Sequence, residues 1–233
     1  MDGISKHFYQ HVARFKAGGD APQGGVLLDF LQTLLPSVVV GSAVLAVLFF
    51  YQDETNVVEY DLSFAETGIC RFLLRLAVVR IAVDVTFFAA HYALHAKALF
   101  AQIHACHHEH RSPHVWTNYH FTAADLVLEG FLPFAVGLVC LAWLGLTLSR
   151  FELQLLFSHI MWYEIGSHCG KPIPVLSVFP PLAPVYRAVM GNVDKNNVWF
   201  HHCHHAHRGG NYGITPWLDA VLGTGNKHTA PDA

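Results

Sequence analysis

The sequence is short of charge. Lys, Arg, Asp and Glu together make up 13% of its 233 residues, and the formal net charge is only −3. That balance offers no basic surface for nucleic acid. Cysteine is sparse as well: Cys70, Cys106, Cys140, Cys169 and Cys203 form no C-x2-C pair and no spacing of a secreted disulfide scaffold. No G-x-G-x-x-G follows a strand pattern, and there is no flavin fingerprint or cytochrome b5 haem motif. The chain therefore brings no nicotinamide, flavin or haem site of its own. Internal repeats of solenoid length are missing. The first long apolar run starts too late for a secretory signal peptide, and the last residues, Asn226 to Ala233, carry no retrieval signal.

Apolar residues dominate: 53% are hydrophobic and the mean hydropathy is +0.34, the composition of a membrane protein. Residues 1–25 read as a polar, partly amphipathic segment suited to a membrane surface, with Phe8, Val12 and Phe15 near helical spacing. Val26 to Tyr51 is long enough to cross a bilayer. A second run, Ile69 to Leu94, carries Arg71, Arg75, Arg80 and Asp84, which must face the protein interior or the interface. A third, Leu126 to Leu148, holds Glu129 and a kink-forming Pro133. After a turn at Gly145 and Ser149-Arg150, a fourth spans Phe151 to Ile165. Residues 170–185 are proline-rich and read as an extended surface loop. The expected fold is all-α: an integral membrane protein of about four membrane helices under a His-rich helical cap. Residues 1–68 form the N-terminal segment and first membrane helix, and residues 69–233 the remaining domain.

Three histidine clusters punctuate this pattern: His91 and His95; His104, His107 and His108; and His201, His204 and His205. Reduced to spacing they read H-x3-H, H-x2-H-H and H-x2-H-H. Residues three and four apart share a helix face, so each cluster can aim two or three imidazoles the same way. Eight imidazoles exceed the four ligands of a tetrahedral zinc and suit two metals held close together. Imidazole suits Fe, Zn, Cu or Ni, so spacing alone does not name the metal. Cys106 and Cys203 sit inside the clusters and read as small buried neighbours of the ligands. An even number of crossings separates the second cluster from the third, which brings both to one side of the membrane. Asp84, about two turns before His91, shares its face and could hold a ligand histidine or make a plain interhelical hydrogen bond or ion pair.

From Asp84 to the C-terminus the chain resembles the fatty acid hydroxylase superfamily, also called the sterol desaturase family, of membrane di-iron oxidases. Beyond the three boxes, the resemblance rests on Asp84 before the first box and on His120 with Asp125 or Glu129 at the third run. It also rests on Ser167-His168-Cys169-Gly170, Asn211-Tyr212-Gly213, Trp217, Asp219 and Gly223-Thr224. The chain departs from the family pattern at Phe88-Ala89, Tyr92 and Lys171. The resemblance implies metal ligands at His91, His95, His104, His107, His108, His120, His168, His201, His204 and His205, with Asp84, Asn211 and Asp219 supporting them. It implies two iron ions, replaceable by zinc on purification, and O2 as co-substrate. The implied reaction hydroxylates, desaturates or otherwise oxidises a C–H bond of a sterol, fatty acyl or sphingoid lipid. Cytochrome b5, or ferredoxin with its reductase, would deliver electrons. The setting it implies is the endoplasmic reticulum, with a mitochondrial or plastid membrane as alternatives. A rival of another class is a catalytically silent family member serving as an accessory subunit of a larger membrane complex. Acyl-CoA desaturases share the box spacings, but their third box lies further along a longer chain, without the Asn-Tyr-Gly tail.

Overall fold

A computed structural model describes residues 64–111, 113–168 and 193–225, with positions 31, 38, 39, 42, 43, 58 and 59 besides. The N-terminal amphipathic segment, most of the Val26–Tyr51 run and the proline-rich loop fall outside the described residues. What is described is helical, apart from one short bridge. Strand β1 (Val58–Glu59) pairs in parallel with β2 (Leu148–Ser149), Val58 opposite Leu148.

Helix α1 (Phe64–Leu94) turns sharply at Gly68, where φ is +67°, a conformation glycine adopts without steric cost. Helix α2 (Ala123–Trp143) starts at Thr122, whose hydroxyl accepts from Asp125 N at 3.2 Å and donates to Ile103 O at 3.0 Å. Its second turn, Leu126–Phe131, is π-helical, and Pro133 sits at the start of the α-helical remainder. Helix α3 (Arg150–His168) is opened by a capping box: Ser149 Oγ accepts from Glu152 N at 3.2 Å, and Glu152 Oε2 accepts from Ser149 N at 2.8 Å. Helix α4 is Val193–His207 and α5 is Pro216–Leu222.

Helices α1 and α2 pack at close range because Gly137 meets Val79. A Cβ on Gly137 would lie 3.0 Å from Val79 Cγ1. The core around this contact comprises Phe72, Val83, Phe87, Phe134, Leu141, Leu156, Ile160 and Tyr163. Two of the arginines in the second run point inward. Arg75 donates to Glu152 Oε1 at 2.8 Å, both buried, and Arg80 pairs with Asp84 at 2.6 Å while lying over the Tyr163 ring. The outer faces remain apolar: Ile69, Leu73, Ile81, Val139 and Trp143 are exposed. Helix α2 alone among the described residues is long and apolar enough to cross a membrane by length and composition. It runs away from the histidines, the chain turns at Gly145 (φ +65°), and α3 returns beside α1, so that α2 and α3 both pack on α1.

Candidate metal centre

Each histidine is placed by the local geometry of its element. His91 lies in the last turn of α1 and His95 just beyond its end. His104 closes a π-helical turn, Phe100–His104, that continues the short helix Lys97–Leu99. His107 and His108 open a 3-10 turn, His107–Glu109. His168 is the last residue of α3, and α4 carries His201, His204 and His205.

The two H-x2-H-H clusters do not each make a site. His104 and His108, four apart, join His91, His95 and His204; His201 and His205, four apart, join His107 and His168. Each of these two clusters thus contributes to both groups: the histidine directly before the last one (His107, His204) is its immediate neighbour in sequence, and adjacent residues do not face the same way. The result is a five-histidine group beside a four-histidine group. Their ligand atoms lie within 4.8 Å of one another in each group.

Six rings are oriented from behind through Nδ1. His91 meets Tyr212 O at 2.7 Å and His204 meets Gly210 O at 2.8 Å. His168 meets Glu164 O at 2.8 Å, His205 meets His110 O at 3.1 Å and His107 meets His120 O at 3.3 Å. His104 meets the Asp125 carboxylate at 3.0 and 3.1 Å. A carbonyl or carboxylate only accepts, so these contacts assign the proton to Nδ1 and leave Nε2 with a bare lone pair.

The Nε2 atoms converge, joined by those of His108 and His201, whose Nδ1 contacts assign no tautomer; in the His168–His107 pair both nitrogens are bare. His108 and His104 Nε2 are 3.0 Å apart, His204 and His108 3.1 Å, His168 and His107 3.2 Å, and His201 and His168 2.8 Å. Two unprotonated nitrogens at that distance repel unless a cation lies between them. Nitrogens about 2.1 Å from one ion lie roughly 3.0–3.4 Å apart when they subtend 90–109°; three of the four separations fall in that range, and His201–His168 at 2.8 Å lies just below it. His91 Nε2 and His95 Nε2 are buried without a hydrogen-bond partner, as ligands of an ion would be. The donor set therefore fits two metal ions, one in each group.

Burial tunes the same nitrogens. It pushes His95 down to about 4, His104 to about 2 and His204 to about 3, against an ordinary 6.5. Neighbouring histidines depress His104 and His204 further. His107, His201 and His205 are held well below 6.5, first by burial and then by their neighbours. The rings are neutral at physiological pH, the state that ligates. The Cys106 and Cys203 thiols are pushed up by burial, to about 11 and about 12, and stay protonated.

Nine of the ten histidines named from sequence come together. His120 stands apart, hydrogen-bonded to Glu109 Oε2 at 2.9 Å with Cys106 Sγ at 3.5 Å. Its contribution to the centre is its carbonyl, which meets His107. Asp84 holds no ligand histidine; besides Arg80 it accepts from Thr215 Oγ1 at 2.7 Å and Trp217 Nε1 at 3.1 Å. Two turns below His91, its carboxylate meets the C-terminal segment before it can reach a ring. Asp219 accepts from Tyr212 N, Gly213 N and Thr224 Oγ1 at 2.6–2.9 Å, and Asn211 Nδ2 donates to Phe200 O at 2.9 Å. Together they hold the loop that presents the Tyr212 and Gly210 carbonyls to His91 and His204. The Tyr212 ring covers the five-histidine group, with centroids 5.0 Å from His95, 5.7 Å from His204 and 5.9 Å from His91. Phe88 and Tyr92, where the chain departs from the family pattern, pack edge-on to Tyr212.

The carboxylate behind His104 is Asp125, and Glu129 lies one turn further on, 3.8 Å from both His91 and His104. Sequence reasoning named this pair only as family markers. Two carboxylates four residues apart at the mouth of an apolar run were the signal, since burying them there is costly without a cation.

The fatty acid hydroxylase family model matches residues 76–224. Among curated relatives, fatty acid hydroxylase domain-containing protein 2 of Macaca fascicularis is 29% identical over 154 residues, 66% of this chain and 39% of the relative. Methylsterol monooxygenase 2-2 of Arabidopsis thaliana is 30% identical over 152 residues, 60% of this chain and 48% of the relative. The chain thus spans less than half the length of these relatives. No solved structure matches.

Proposed function

This chain belongs to the fatty acid hydroxylase family, and from that premise we propose that it is a membrane-bound, O2-dependent di-iron oxidase. It hydroxylates, desaturates or otherwise oxidises a C–H bond of a sterol, fatty acyl or sphingoid lipid. The observation that carries this reading is the pair of histidine groups whose Nε2 lone pairs converge while Nδ1 is held from behind. His91, His95, His104, His108 and His204 would hold one iron; His107, His168, His201 and His205 would hold the other. Bound iron supplies the oxidising power that no side chain has.

The chain's own residues do the rest. The backbone carbonyls behind the rings fix tautomer and direction, so the ligands need no reordering on loading. Tyr212 and Phe100 wall the five-histidine group with aromatic surface and keep bulk water off it. The apolar outer faces of α1 and α2 leave a lipid free to approach from within the bilayer. We place the remaining helical runs in the membrane with α2, the His-bearing cap at its surface, and the protein in the endoplasmic reticulum. Electrons come from a separate donor of the cytochrome b5 or ferredoxin type.

The test is to purify the protein in detergent without added metal and measure Fe and Zn per chain, for wild type and His204→Ala. Two metals in the wild type, sharply reduced in the variant, support the centre. Turnover of a lipid extract with O2 and a reductant then separates an oxidase from an accessory subunit. No bound metal in a folded wild type overturns the reading.

A further inference from the structure

The two histidine groups are not equivalent, and the difference is Glu129. Its side chain is 4% exposed, its Oε1 has no hydrogen-bond partner, and its ionic contacts are His91 Nε2 and His104 Nδ1, each at 3.8 Å. His91 Nε2 is itself buried and unpartnered. An unsatisfied carboxylate oxygen and an unsatisfied imidazole nitrogen thus face each other, too far apart for a hydrogen bond. They are close enough to share one ion. The π-helical turn Leu126–Phe131 carries Glu129 to this position, a distortion that often marks functional sites.

Charge gives the same answer. Neutral imidazoles offer a buried dication no compensating charge, and an uncompensated buried charge is costly. Asp125 contributes a negative charge only at one remove, through His104. Glu129 is the carboxylate able to reach the ion itself. Among the described residues neither histidine group includes a carboxylate in its own set of ligand atoms; Glu129 and Asp125 form a set with His104 of the five-histidine group, and the four-histidine group has no such neighbour.

We infer that Glu129 supplies a carboxylate oxygen to the metal held by His91, His95, His104, His108 and His204, leaving the second metal all-imidazole. The inference rests on the two-metal reading above. It makes the first site the more tightly held and the less positive of the two.

The test uses full-length, metal-free wild type and Glu129→Gln titrated with Co2+. Wild type should bind two ions, with an infrared difference spectrum showing a carboxylate stretch shifted by metal. Glu129→Gln, close to isosteric, should lose that band and change the intensity of the cobalt d–d absorption. One of its two ions should bind about tenfold or more weakly, while the other is unaffected and reports an intact fold. Equal affinities and identical cobalt spectra in the variant overturn the inference while leaving the two-metal reading intact. So does a wild-type spectrum without a carboxylate shift, which needs no variant. A folded wild type that binds no Co2+ removes both.

Discussion

At the scale of single residues, the centre depends on what stands behind each imidazole. Among the described residues Asp125 is the carboxylate that accepts from the Nδ1 of a histidine in the two groups, and it is wholly buried. Asp125→Asn keeps the shape and removes the charge; metal affinity should fall about 10–100-fold, read by competition with a chelator. Asp84→Asn should leave metal content unchanged and lower the thermal midpoint instead, because its partners are Arg80, Thr215 and Trp217. Reversal of those two outcomes would exchange the roles assigned here. Gly213 has no room for a side chain: a Cβ would lie 2.5 Å from Thr215 O and 3.0 Å from Asp219 Oδ2. Gly213→Ala should therefore displace the loop that orients His91 and His204, with metal lost from the five-histidine group before the other. Equal loss from both groups would argue against that route.

At the scale of elements, the α1–α2 contact sets the frame. Val79 against Gly137 lets the two helices approach, and a larger residue there overpacks the seam. Gly137→Val should cost about 1–3 kcal/mol, seen as a lower thermal midpoint in detergent, with unchanged metal content in the chains that remain folded. A neutral effect would mean that the helices separate easily at this level. The runs of α2 and α3 were legible from hydropathy, and so were the inward-facing arginines, since charge inside an apolar run must find a partner. The π-helical turn was not legible: an extra residue per turn leaves no periodic mark in six residues. Pro133 reads as a kink from sequence. In the fold the π-helical turn precedes it and places it at the start of the next α-helical stretch, where its missing N–H matters least.

At the scale of the whole molecule, nine imidazoles gathered together, eight buried and His95 half-buried, make stability depend on pH. For His95, His104 and His204 the folded values lie below the ordinary 6.5, at about 4, 2 and 3. Between those values and 6.5 the unfolded chain binds more protons than the folded one, so stability falls as pH drops through that window. Above 6.5 these groups contribute no slope. The thermal midpoint of the metal-free protein should be flat from pH 8 to 7 and fall steadily toward pH 5. Bound metal should delay the fall, because protons must then displace it. A midpoint that rises on acidification would contradict the burial of these rings.

What the sequence determined alone was the candidate residues and the helical class. Histidines at helical spacing, set among long apolar runs, mark candidate metal-binding side chains in a largely helical chain, because spacing and hydropathy are local properties. The Asn-Tyr-Gly and Asp219 pattern likewise marked a loop folded back on the site. Only the tertiary structure decided how the ligands divide. Which imidazole joins which group depends on the azimuth of each helix about its axis and on the close approach of α4 to the second cluster, about a hundred residues away. Packing elsewhere put Asp125 rather than Asp84 behind a histidine, left His120 outside the two groups and brought Glu129 to the edge of one. A carboxylate's neighbours across space are set by packing, and packing is not written in the spacing of one segment.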